Sequence, residues 1–141
     1  MTQEDKKELL IKDLFARLPY GVKCKDQYGD YIDVNIYNAH IEHLIDQILS
    51  GVVQMVLRPM SSMTEKEKIQ YQVICESWMN VLRHYDVDWL NEHHFDYRGL
   101  IEKSLALEAF EGMYDTNQKW TTIRSGLKEN ENGQIVGGLK L

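Results

Sequence analysis

Leu10, Leu14 and Leu18 recur at helical spacing, with Ile11 and Phe15 beside them, and predict a first helix over Gln3–Leu18. Thr2 is placed to cap it, Glu4 and Asp5 suit its positive end, and Arg17 suits its negative end. Pro19 stops it, because the residue before a proline is pushed out of the helical region. The pattern then changes period. From Tyr20 to Lys25, Val22 and Cys24 alternate with Lys23 and Lys25, and Asp26-Gln27-Tyr28-Gly29 supplies a turn. From Asp30 to Tyr37, Ile32, Val34 and Ile36 alternate with Tyr31, Asp33, Asn35 and Tyr37, the pattern of a strand covered on one face.

Asn38 is the expected cap of a second helix over Ala39–Ser50, with Ile41, Leu44, Ile45, Ile48 and Leu49 on one face. Gly51 is placed to end it, and Val52–Arg58 reads as a third strand closed by Pro59. A helix linking strands two and three suggests that those strands run parallel. Beyond Pro59 only helices are expected. Ser62 and Glu65 have capping-box spacing, and Thr64 and Glu67 offer the same arrangement two residues on. A long helix carries Ile74, Trp78, Val81, Leu82 and Tyr85 on one stripe. Asp86 is placed to cap a shorter helix with Trp89 and Leu90, and Asp96 another with Leu100, Ile101 and Leu105. The reading is α+β: a small three-stranded mixed sheet in the order αββαβ, one face packed on helices, then a helical C-terminal half. Residues 1–115 form one domain in this reading. Residues 116–141 form a flexible Gly-rich tail, with Trp120 docked on the body and Gln134-Ile135-Val136 as its one strand-like run.

Composition narrows the classes of function. The chain has 141 residues and a net charge of −6. Between Ser61 and Asp115 five basic residues face eleven acidic ones. An acidic body disfavours binding that rests on phosphate neutralisation, so nucleic acid is an unfavoured partner. Cys24 and Cys75 make neither a disulfide scaffold nor a CxxC pair, which points to a reducing compartment. No apolar run approaches the ~20 residues of a membrane span, and the N-terminal stretch has no signal-peptide core. A cytoplasmic, soluble protein is the expectation.

The densest polar cluster runs from Asp86 to Asp96. Asp88, Glu92 and His94 are its candidate metal ligands, with His93 as a helper, since imidazole and carboxylate together suit zinc, manganese or iron. Metal there would imply a hydrolase or nuclease acting through bound water. The adjacent histidines project about 100° apart on a helix, which weakens the case. His40, His43 and Asp46 share a helix face but lack the spacing of a metalloprotease helix. Both cysteines read as inert packing residues, with no catalytic set around them. Tyr20, Tyr31 and Tyr37, with Lys23 and Lys25, form a candidate binding face on the hairpin, for stacked single-stranded bases or for a protein. No cofactor is implied.

Two stretches, Asp13-Leu-Phe-Ala-Arg-Leu-Pro-Tyr-Gly-Val-Lys23 and Trp89-Leu-Asn-Glu-His-His-Phe-Asp-Tyr-Arg-Gly-Leu-Ile-Glu-Lys103, resemble segments of a family of small hypothetical proteins. Pro59-Met-Ser-Ser-Met-Thr64 is similar to a loop of the same family. Its members occur in gut anaerobic bacteria and their phages or other mobile elements, and the resemblance reaches to about Tyr114. It implies kinship and a phage or mobile-element setting, but no activity, ligand or catalytic residue. With the acidic helical half and the tyrosine-bearing hairpin, it makes a non-enzymatic interaction or regulatory protein the leading expectation. The expected partner is another protein, with a homo-oligomer as a further option.

Overall fold

The computed structural model describes residues 1–116 and the strand backbones at 127–129 and 135–137. Helix α1 spans Gln3–Arg17, and Thr2 and Asp5 close a reciprocal capping box at its start. Its buried stripe is Leu10 and Leu14, continued by Leu18. Phe15, expected beside that stripe, is 62% exposed, because it lies off the line that faces the sheet.

Strands β1 (Val22–Lys25) and β2 (Tyr31–Val34) form an antiparallel hairpin with Val22 opposite Val34 and Cys24 opposite Ile32. Asp26 Oδ1 accepts from the backbone N–H groups of Tyr28 and Asp30, and Gly29 takes φ 86°, which a side chain would strain. The second strand is shorter than its alternation suggests. Beyond Val34 the chain turns, with Asn35 and Asn38 side chains accepting from backbone N–H groups at residues 35–38. Asn38 therefore serves this turn and does not cap the next helix.

Helix α2 is Ile41–Leu49, and His40 takes the N-cap position, accepting from the His43 N–H at 3.4 Å. Leu44, Ile45 and Ile48 are buried, and Gly51 (φ 81°) ends the helix in the left-handed region as expected. Strand β3 (Gln54–Leu57) pairs antiparallel with β1. Thus β2 and β3 run in the same direction but lie on opposite sides of β1.

The sheet has four strands where three were expected. Strand β4 (Ala106–Glu108) pairs parallel with β3, giving the order β2-β1-β3-β4. The expected helix from Asp96 does not form. The Asp96 carboxylate accepts from the N–H groups of Leu100 and Ile101, and left-handed residues Gly99 (φ 76°) and Ser104 (φ 61°) bend the chain into turns leading to β4.

The long helix is also broken. Helices α3 (Glu65–Glu76), α4 (Trp78–Arg83) and α5 (Tyr85–Glu92) replace it. Ser77 is extended (ψ 133°) and His84 is left-handed (φ 53°), so the helical hydrogen-bond ladder cannot pass either. Asp86 lies inside the first turn of α5, and its N–H donates to the Asn80 side chain at 2.7 Å. Of the predicted stripe, Ile74 is buried, whereas Trp78 and Val81 are 41% and 77% exposed.

Two apolar cores result. One lies between the sheet and helices α1 and α2, from Leu10, Leu14, Cys24, Ile45 and Met55 to Leu100 and Leu105. The other gathers Ile74, Trp89, Leu90 and Phe95 beneath α3 and α5. Within the stretch expected to be a flexible tail with one strand-like run at 134–136, β5 (Leu127–Glu129) pairs antiparallel with β6 (Ile135–Gly137). Trp120 and Gln134 lie outside the described residues. No helix among the described residues is long and apolar enough to cross a membrane.

Candidate functional site

The structure does not bring the candidate metal ligands together. Glu92 is buried in the last turn of α5, and Asp88 lies in its first turn. His94 follows the helix in a left-handed conformation (φ 65°) that swings its ring onto Tyr114, with centroids 4.1 Å apart and planes 18° apart. Among the described residues no three His, Cys, Asp or Glu side chains lie where they could hold one ion. His93 stacks on Trp89 at 4.1 Å, and its Nδ1 lies 2.9 Å from the Trp89 carbonyl, so it belongs to the second core.

Part of the predicted binding face does converge. Tyr20, Lys23 and Tyr37 line a cleft of about 420 Å³ with Gly21, Asp33, Asn35, His94 and Tyr114. Lys23 Nζ pairs with Asp33 at 2.8 Å across the β1–β2 ladder. The Tyr114 hydroxyl accepts from the Lys23 N–H and donates to the Val56 carbonyl, both at 2.7 Å. Tyr114 thereby closes the outer face of the sheet, where Val56 is only 2% exposed. Tyr31 and Lys25 do not line this cleft. Tyr31 meets Phe110 edge-on at 5.7 Å, so its ring abuts the segment after β4 and does not stand open as a stacking platform. Neither Tyr114 nor Phe110 carries a spacing signal. Only the return of the chain to the sheet as β4 makes their positions legible.

Burial pulls the His94 pKa down to about 3, helped by the positive charge of Arg17 and opposed by a backbone hydrogen bond with Gly21. A neutral imidazole of that basicity is a poor proton acceptor at pH 7. Burial raises the Tyr114 hydroxyl and carries the Cys24 thiol up to about 12. Cys75 is exposed, contrary to its expected place on the apolar side of a long helix, and burial still raises its thiol somewhat. Thiols so placed are weak nucleophiles.

On the other side of the hairpin lies a second cleft, about 530 Å³, between β2 and α2. It is lined by Ile32, Val34, Leu44, Val52 and Val53, with Asp26, Asp33, His40 and His43 at its polar positions. Ile32 sits opposite Cys24 on the core side of the sheet, yet Ile32 is 41% exposed and Cys24 fully buried. The helical layer stops short of the β2 edge. Tyr28, which lines this cleft, is 80% exposed, and elsewhere on the hairpin and the turn after it Tyr31 (48%), Ile36 (51%) and Tyr37 (96%) are exposed too. Comparison with family models, curated proteins and solved structures finds no match to this chain.

Proposed function

We propose that the chain is a non-enzymatic interaction protein whose contact face is the β1–β2 hairpin and the turn that follows it. One observation carries this reading. Among the described residues, five of the thirteen exposed large hydrophobic side chains fall between Tyr28 and Tyr37, a short stretch at one edge of the sheet. Apolar surface concentrated in this way, and rich in tyrosine, is what protein contacts use. Scattered exposed apolar residues elsewhere need no such explanation. The sequence resemblance to small proteins of phages and mobile elements suggests a regulatory setting, in which a small module acts by occupying a partner.

The test is co-purification from a bacterial lysate with the full chain and with a Tyr28→Ser/Ile36→Ser/Tyr37→Ser variant. These side chains are at least half exposed, so the fold tolerates the changes. A partner held by the wild type and lost by the variant supports the proposal. A partner held equally by both, or a wild type that stays a monomer with none, removes it.

A further inference from the structure

We infer that the groove between β2 and α2 seats an extended, basic peptide segment of a partner protein, anchored by an apolar side chain over Ile32 and flanked by Lys or Arg. The inference deepens the proposed contact face and rests on that reading. It follows first from shape. The groove is an opening in the main core, with Ile32, Val34, Leu44 and Val53 as its apolar lining and about 530 Å³ of space. That volume falls within the roughly 300–1,000 Å³ of clefts that enclose small ligands, so it has room for more than one side chain.

Charge selects the occupant. From Asp26 to Leu57 the chain holds five carboxylates, Asp26, Asp30, Asp33, Glu42 and Asp46, and neither a lysine nor an arginine. Among the groove's lining residues Asp26 and Asp33 are the carboxylates, His40 and His43 lie beside them, and there is no lysine or arginine. Asp33 also pairs with Lys23, which lines the cleft on the other face of the hairpin. A second copy would bring these carboxylates against their own kind across a symmetric interface. Nucleic acid carries the same sign of charge and is disfavoured for that reason. A cationic chain meets complementary potential.

Backbone geometry limits the mode of contact. Strand β2 ends the sheet, but Asn38 Nδ2 donates to the Asp33 carbonyl at 3.0 Å and occupies part of that edge. The edge is short and partly closed, a usual guard against indiscriminate strand pairing. Side chains entering the groove, and not a long added strand, therefore carry the contact.

The experiment titrates the full chain with a fluorescent Lys-Leu alternating nonapeptide and with its Lys-Ala counterpart, followed by amide chemical-shift mapping. The expected result is binding of the Lys-Leu peptide, with shifts at Ile32, Leu44, Val52 and Val53. Loss of the apolar anchor is expected to weaken it by about tenfold or more, the effect of withdrawing one buried aliphatic side chain. Ile32→Glu is expected to do the same, and Val52→Glu serves if the first variant fails to fold. Equal binding of both peptides, or shifts confined to the acidic stretch 61–115, overturns the inference as mere charge attraction. A dimer lost on Ile32→Glu overturns it in favour of a second copy. If no peptide binds while the hairpin variant still releases a protein partner, the groove inference falls and the broader contact face stands.

Discussion

The two cores of this protein solve the same packing problem in opposite ways. Between the sheet and α1–α2, burial is almost wholly apolar, with Leu10, Leu14, Cys24, Met55, Leu57 and Leu100 fully enclosed. Around Trp89, an equally buried interior is threaded by charge. His93, Trp89 and Phe95 stack in sequence, and the Arg58 guanidinium lies 4.1 Å from the Phe95 ring centroid. Arg58 then makes a two-pronged bond to Glu67, at 2.7 and 2.6 Å, and donates to the His93 carbonyl. Burial alone would raise the Glu67 pKa, but Arg58 and the Thr64 N–H outweigh it and hold the carboxylate below its ordinary value.

A second ion pair joins the two halves. Arg17 and Asp13, both fully buried, pair one turn apart on α1, and Arg17 also donates to the Phe95 carbonyl at 3.0 Å. Burial opposes the Arg17 charge, while Asp13 more than restores it and holds the guanidinium pKa above its usual value. The lesson is one of tolerance. An apolar core loses a few contacts when trimmed, but a buried pair leaves a stranded charge when one member is removed.

Removing one member of the Arg58–Glu67 pair is thus expected to have the largest effect. Glu67→Ala should cost about 3–5 kcal/mol in denaturant unfolding, because it strands a buried guanidinium. The double change Arg58→Met/Glu67→Leu should recover much of that loss. A double variant no more stable than the single one would mean that packing, not charge, governs this half. In the apolar core, Leu14→Ala should cost about 2–5 kcal/mol, with no dependence on pH.

Acid should separate the halves next. Above pH 6.5 His94 is neutral in both the folded and unfolded states. Below it, the unfolded chain takes up a proton that the folded chain, with a pKa of about 3, does not. Stability should therefore fall as pH drops, by roughly 2 kcal/mol at pH 5, one and a half pKa units below the free value. His93, whose pKa burial also lowers, adds in the same direction. The Glu67 contribution is full above the ordinary carboxylate range and is lost as pH falls from there through its own lowered value. Unfolding of His94→Gln between pH 7 and pH 5 checks this, and a variant as acid-labile as the wild type would contradict it. Smaller again, Thr64→Ala should cost about 1 kcal/mol through loss of the α3 cap. Phe15→Ser, on an exposed position of α1, should stay within about 0.5 kcal/mol by thermal melting.

These two halves were not equally legible. The hairpin turn, the Thr2 cap, one of the two capping-box spacings before α3 and the buried faces of α1 and α2 follow from local periodicity and side-chain hydrogen bonding, which act over a few residues. The breaks at Ser77 and His84 follow no such signal, since neither residue is a strong helix breaker. The candidate ligands Asp88, Glu92 and His94 looked clustered because they are close in the chain, and one left-handed residue separated them. The cleft lined by Tyr20, Lys23 and Tyr37 was half visible, and its other wall, His94 and Tyr114, comes from residues distant in the chain.

What the chain alone determined is where apolar surface is offered and where helices begin and turns close. What the tertiary structure decided is which of those surfaces are covered. The parallel pairing of β4 with β3 draws Phe110 and Tyr114 over one face of the sheet, while α2 stops before Ile32 on the other. Periodicity is a property of neighbours within a turn or two. Coverage depends on contacts between residues far apart in the chain, whose closure is set by the whole fold.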